Sequence, residues 1–284
     1  MDKTTPLIFK IYQSDKTTDK TQFNKWIEET IHKYLPVRDH AKDKHGEVFT
    51  PRVLIEELMN KLDPEVFKNK DLKWLDPANG VGNFPLVVYG MLMKHLKKTI
   101  PNDARRSDHI LRNMLYMVEL RADNYKVSRE LFGKKANIFH GSFLSDDNRT
   151  INPKIPERFG TKKYDIIMGN PPFNQEKQGS HTGSTSNKEL WLTFSLVSID
   201  SLYDGGYLMF IHPQNWRGLG PKFRVLWDLM KKYQLHFLHV FGEKDGRNYF
   251  KASTKFDLYI FQKKLNFKKT KVIDMKGVSQ HLYP

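Results

Sequence analysis

Trp74-Leu75-Asp76-Pro77-Ala78-Asn79-Gly80-Val81-Gly82-Asn83-Phe84, followed by the apolar run Pro85-Leu86-Val87-Val88, reads as a strand, a glycine-rich turn and the start of a helix. Gly80 and Gly82 permit positive φ and close approach of a ligand to the backbone, and the helix start behind them offers free N–H groups. A Gly-x-Gly pair alone is weak. Asp76 narrows the reading, because a carboxylate suits the ammonium end of an amino-acid cofactor and not a phosphate. Downstream, Met114-Leu115-Tyr116-Met117-Val118-Glu119-Leu120 is a second apolar strand closing on an acid. Doubly wound folds place an acid there for ribose hydroxyls, although a solvated strand-end carboxylate is the simpler alternative.

Around these segments the chain alternates helical and strand-like runs. Helices are expected at 55–59, 86–96, 122–132, 190–202 and 223–233, and strands at 72–76, 115–119, 136–140, 165–168, 207–211, 235–240 and 258–261. Such alternation predicts an α/β fold with a mostly parallel, twisted sheet and helices on both faces. Ligands then lie at the carboxyl ends of the strands, where Asp76, Glu119, Ser142 and Asn170 fall. Residues 1–44 are polar, with Phe23, Trp26, Ile27, Ile31 and Tyr34 at helical spacing, and are expected as a helical arm. The main domain is expected over 45–265, with a basic segment at 266–284.

The strand Tyr164-Asp165-Ile166-Ile167-Met168-Gly169 runs straight into Asn170-Pro171-Pro172-Phe173. A planar amine is a poor nucleophile because its lone pair is delocalised into the ring. Two acceptors that take its hydrogens push the nitrogen towards tetrahedral geometry. Asn170 offers one on its side chain, and Pro171 a second on its backbone, aimed in advance by the fixed φ of two prolines. Phe173 would stack on the base. A proline-stiffened turn with an exposed aromatic is the plainer reading of the tetrapeptide taken alone.

In this order the segments resemble the amino-group (N6-adenine) DNA methyltransferases of restriction-modification type, in the arrangement with the cofactor half first. The similarity covers roughly residues 45–263 and implies a Rossmann-like S-adenosylmethionine-dependent methyltransferase fold. It matches Gly46-Glu47-Val48-Phe49-Thr50-Pro51 to the opening cofactor segment, so Phe49, Thr50 and Pro51 are expected at S-adenosyl-L-methionine. Asp76, Ala78, Gly80 and Gly82 correspond to the methionine-binding loop, Glu119 to the ribose acid, and Asn170, Pro171, Pro172 and Phe173 to the catalytic tetrapeptide. Gly205 to Pro213 resembles the strand after the catalytic helix, and Phe250 takes the place of an aromatic against a flipped base. Where the family usually has an aspartate for the cofactor's adenine amine, this chain has Ser142, an acceptor without charge, with Phe143 as an apolar wall beside it. After Phe261 about twenty residues remain, too few for a recognition domain. The expectation is a chain cut from a longer protein, or sequence reading by a partner subunit or the N-terminal arm.

Lys plus Arg number 47 against 32 Asp plus Glu, a formal charge of +15 that attracts polyanions. The clusters Lys42-Asp43-Lys44-His45, Arg217 with Lys222, and Lys263-Lys264 with Lys268, Lys269 and Lys271 are expected beside the chemistry, on phosphates flanking an extruded base. Asn215 and Arg217, just past the strand ending at Pro213, are expected at the substrate. Trp191 is expected in the core. The absence of cysteine excludes disulfides and thiolate metal sites, and the eleven histidines show no ligand spacing. His236 and His239 are expected on opposite faces of a strand, unable to share an ion. No apolar stretch approaches a membrane span, so a soluble, intracellular protein is expected. The polar stretch 174–188 reads equally as a lid over the substrate or as a surface insertion. DNA is the expected partner. Adenine in RNA, a protein glutamine, and an inactive nucleic-acid-binding subunit are the alternatives.

Overall fold

The computed structural model describes residues 5–15, 50–173, 189–218 and 220–282. Nine strands form one sheet in the order β3-β2-β1-β4-β5-β7-β6-β8-β9. They are β1 Trp74–Asp76, β2 Leu115–Glu119, β3 Asn137–His140, β4 Tyr164–Gly169, β5 Leu202–Pro213, β6 Tyr233–Phe241, β7 Phe256–Leu265, β8 Thr270–Ile273 and β9 Ser279–Leu282. The first five in space pair in parallel, whereas β7 runs antiparallel to both β5 and β6, and β9 antiparallel to β8. Sequence order runs outward from β1 through β2 to β3 on one side and jumps to β4 on the other. The chain therefore reverses between β1 and β4, and at such a switch point helices depart to opposite faces and leave a crevice.

Alternation along the central strands builds two cores. Trp74, Met117, Ile166, Met168, Met209 and Ile211 face one layer, and Leu75, Val118, Ile167, Leu208 and Phe210 face the other. The first layer is covered by α1 (Leu7–Asp15), α2 (Arg52–Met59), α3 (Asn83–His95) and α5 (Ala122–Phe132), with the short α4 (Asp103–His109) leading into β2. The second is covered by α6 (Lys154–Phe159), α7 (Leu190–Asp200) and α8 (Arg224–Lys232). A further helix, α9 (Glu243–Phe250), joins β6 to β7.

Three expectations are corrected here. No boundary falls at residue 265, because β8 pairs with β6 and β9 with β8, extending the same sheet. The parity argument for His236 and His239 fails because the register of β6 slips between Leu235 and Phe237. His236 then packs on Tyr207 and bonds Gln262, while His239 contacts Glu57 at 2.6 Å, so separate partners and not opposite faces keep them apart. The third concerns Lys263 and Lys264. Since β7 runs backwards, they lie at the edge where β5 begins, Lys263 donating to the Leu202 carbonyl at 3.2 Å. At about 3.4 Å per residue, that is roughly 24 Å along the strand from Phe256, which lies opposite Pro213.

Among the described residues no helix is long and apolar enough to cross a membrane. The expected arm helix at 23–34, the segment Gly46 to Phe49, the cluster 42–45 and the stretch 174–188 lie outside the described residues.

Candidate active site

Asp76 ends β1 almost fully buried, at 1% exposure. Its Oδ1 accepts the Ala78 N–H at 3.1 Å, and burial pushes its carboxyl up to about 8 with smaller help from Glu119. A buried carboxyl in this condition is relieved by a cation arriving beside it. Glu119, at the end of β2, accepts the Gly80 N–H on Oε2 and the Arg121 N–H on Oε1, each at 2.7 Å. It thus fixes the glycine loop itself, and an ionised carboxylate can accept about four hydrogen bonds in all.

The two glycines serve different ends. Gly80 has φ +57° and open space where a side chain would begin, so a ligand can lie directly on its backbone. Gly82, at φ +100°, would drive a Cβ to 2.4 Å from the Phe132 ring, so its requirement comes from packing against α5 and not from a ligand. Just before them Asn79 donates to Ser128 Oγ at 2.7 Å and to the Gly80 carbonyl at 3.1 Å, while its Oδ1 is buried without a partner among the described residues.

β4 brings the tetrapeptide next to this loop. At Gly169 a Cβ would sit 3.0 Å from Asp76 Oδ1, so the two strand ends touch. Asn170 donates from Nδ2 to Thr50 Oγ1 at 3.1 Å, and the Thr50 carbonyl accepts from Asn83 Nδ2 at 3.2 Å. Those bonds tie together the start of α2, the start of α3 and the end of β4. Asn170 Oδ1 is left buried with no partner among the described residues. Pro171 is buried, Pro172 exposed, and Phe173 half-buried against the second core. Thr50, Asp76, Ala78, Gly80, Glu119 and Asn170 are therefore brought together as expected. Pro51 precedes α2 and Phe49 lies outside the described residues.

Other expected site residues are placed differently. Ser142 turns its hydroxyl onto the Leu144 backbone, donating to the carbonyl at 2.9 Å and accepting the N–H at 3.1 Å. Phe143 is core, packed on Phe194 with ring centres 5.5 Å apart, and is no exposed wall. Phe250 ends α9 in the first core, 4.8 Å from the Phe256 ring. Phe173 packs on the other core, so these two rings lie on opposite faces of the sheet and do not sandwich a base. Trp191 is core as expected, stacked on His212 at 4.6 Å.

Sequence reasoning missed the network after β5. The turn Gln214–Arg217 is held by Asp257 of β7, whose Oδ2 accepts from Trp216 Nε1 and Arg217 Nε at 2.8 Å and whose Oδ1 accepts from Arg217 Nη2 at 3.1 Å. Arg217 is thus no free cation. Asn215 is the exposed residue of this turn, at the same edge as Asn170. His212 is buried and neutral, its ring driven down to about 4 by burial, so that Nδ1–H donates to the Pro213 carbonyl at 2.9 Å and Nε2 accepts from Tyr259 at 3.1 Å. The paired spacing of Trp216, Arg217 and Asp257 carries no local signature, because the partners are 40 and 41 residues apart.

A parallel sheet whose order switches between β1 and β4, with a buried acid ending β1, an acid ending β2 and Asn-Pro-Pro-Phe after β4, is a class I S-adenosylmethionine-dependent methyltransferase fold. Residues 8–250 match the Eco57I restriction-modification methylase family, and the chain belongs to it. An "uncharacterized adenine-specific methylase" of Mycoplasma pneumoniae is 26% identical, over 61% of this chain and 56% of that protein. The modification subunit of a putative type I restriction enzyme from Vibrio vulnificus superposes with a TM-score of 0.62 at 16% identity, covering 90% of this chain and 53% of the other. The EcoKI M protein gives 0.55 at 21%, covering 80% and 48%. The chain thus spans about half the length of these relatives.

Proposed function

We propose that this chain transfers a methyl group from S-adenosyl-L-methionine to the N6 amine of adenine in DNA. The observation that carries the reading is Asn170 Oδ1, buried at the end of β4 without a partner among the described residues while its Nδ2 is fixed on Thr50. A buried acceptor left unpaired costs about 1–3 kcal/mol, which an incoming amine hydrogen would recover. The residues also fit the cofactor: the desolvated Asp76 suits its ammonium, Glu119 its ribose, and the open face of Gly80 its close approach. When bound, it supplies an activated methyl on a sulfonium. Asn170 and the Pro171 carbonyl accept the two amine hydrogens and turn the nitrogen lone pair towards that methyl. Phe173 stacks on the base, which must leave the duplex because its amine is unreachable inside it. The name of the Mycoplasma relative supports adenine, and DNA-bound relatives such as LlaBIII support DNA.

The test is single-turnover transfer from labelled cofactor to separate DNA, RNA and protein pools. DNA adenine should be labelled, and Asn170→Ala should lower the rate about a hundredfold or more while cofactor and DNA affinity hold, because its bond strengthens only as the nitrogen pyramidalises. Labelling of RNA or protein in preference to DNA, or an undiminished rate in Asn170→Ala, overturns the reading.

A further inference from the structure

Asp257 is a fully buried carboxylate that the proposed chemistry does not use. It accepts two bonds from Arg217 and one from Trp216, and Arg217 Nη2 also donates to Gln214 Oε1 at 2.6 Å. That occupies Nε and Nη2. Nη1 takes no partner among the described residues, and the Arg217 side chain keeps 31% of its surface exposed. The guanidinium is therefore locked in orientation by one flank and open at the other. Its turn follows β5, whose neighbour β4 carries Asn170, and Asn215 beside it is exposed. Lys222, the next cation of this edge, is drawn to Glu189 at 3.1 Å.

We infer that Asp257 is a positioning residue that holds Arg217 so that its Nη1 donors meet a backbone phosphate of the nucleic acid beside the target base. The inference rests on the proposed function. A guanidinium anchored by one carboxylate loses little further freedom when it binds, and its planar fork leaves a second pair of donors for an anion. Such a contact fixes register and carries no base information. A lysine here would not substitute, since an ammonium seated on Asp257 has no rigid second edge.

The experiment uses the full chain and a labelled DNA duplex with a mismatched adenine at its centre, titrated over a range of salt. In the double variant Asp257→Asn with Arg217→Gln, which removes both charges of the pair and leaves the net charge unchanged, the log-log salt slope should fall by about one unit and low-salt affinity roughly tenfold, with cofactor affinity unchanged. Arg217→Lys, which keeps the formal charge, should weaken DNA binding comparably and raise KM more than it lowers kcat. Asp257→Asn alone should keep the slope and lose affinity severalfold. Wild-type slope and affinity in the double variant and in Arg217→Lys overturn the phosphate contact, and wild-type affinity in Asp257→Asn overturns the positioning role. A wild-type chain that neither binds nor methylates this duplex overturns the proposed function, a result distinct from either.

Discussion

Around Asp257 the buried polar atoms are matched: three donors reach the carboxylate, and His212 has a partner on each ring nitrogen. Around Asp76, at the same edge of the same sheet, Asn79 Oδ1 and Asn170 Oδ1 are buried with nothing to accept among the described residues, and Asp76 takes one N–H. Both groups are buried, so solvent does not explain the contrast. A matched buried network stabilises and fixes its surroundings, whereas an unmatched one is a standing penalty that a ligand relieves. Apart from the outward Nη1 of Arg217, the β5–β7 end of the edge therefore holds the fold, and the β1–β4 end is shaped for binding.

Removing a partner should separate the two ends most sharply. Asp257→Ala strands Arg217 and Trp216 and should cost about 3–5 kcal/mol of stability, read from the denaturant midpoint. Asn170→Ala should cost less, about 1 kcal/mol, because it removes one hydrogen bond, from Nδ2 to Thr50, together with a buried acceptor that has none. Equal losses would erase the distinction. A smaller effect is expected within the glycine loop. Gly82→Ala should destabilise by about 1–3 kcal/mol through its clash with Phe132, with Gly80→Ala nearer 1 kcal/mol but a larger loss of cofactor affinity in calorimetry.

The last contrast is in pH dependence. Asp76 keeps its proton up to about 8 in the folded chain but ionises near 3.8 when unfolded. Its folded pKa is raised, so its contribution is fully present below about 3.8 and is lost as pH rises towards 8, at up to about 1.4 kcal/mol per pH unit. The cofactor-free Asp76→Asn variant should lose that slope in urea titrations across this window. Below pH 8, cofactor binding to the wild type should release protons, seen as a calorimetric enthalpy that varies with the buffer.

Local patterns made much of this legible. Ala122–Phe132 and Leu115–Glu119 were readable residue for residue because apolar periodicity and an acid at the strand end are local signals. Asp76, Glu119 and Asn170 were readable for the same reason, each ending an apolar run. The direction of β7 was not, and with it went Phe250, Lys263 and Lys264, since strand direction is decided by pairing with β5 and β6. β9 was also hidden, because Ser279–Leu282 is exposed throughout and lacks any alternation of buried positions. The bond from Asn170 to Thr50 spans 120 residues, and only the folded sheet brings its ends together.

The glycine loop has one consequence for how the protein ages. Asn79-Gly80 is the dipeptide most prone to deamidation in a free chain, because the following backbone nitrogen attacks the asparagine side-chain carbonyl. Here that nitrogen donates to Glu119 Oε2 at 2.7 Å, and the Asn79 amide is tied to Ser128 and to the Gly80 carbonyl. The folded loop withholds the attacking group. Storage conditions that loosen β1 and β2 should convert Asn79 to aspartate or isoaspartate first, placing a new negative charge beside the buried Asp76.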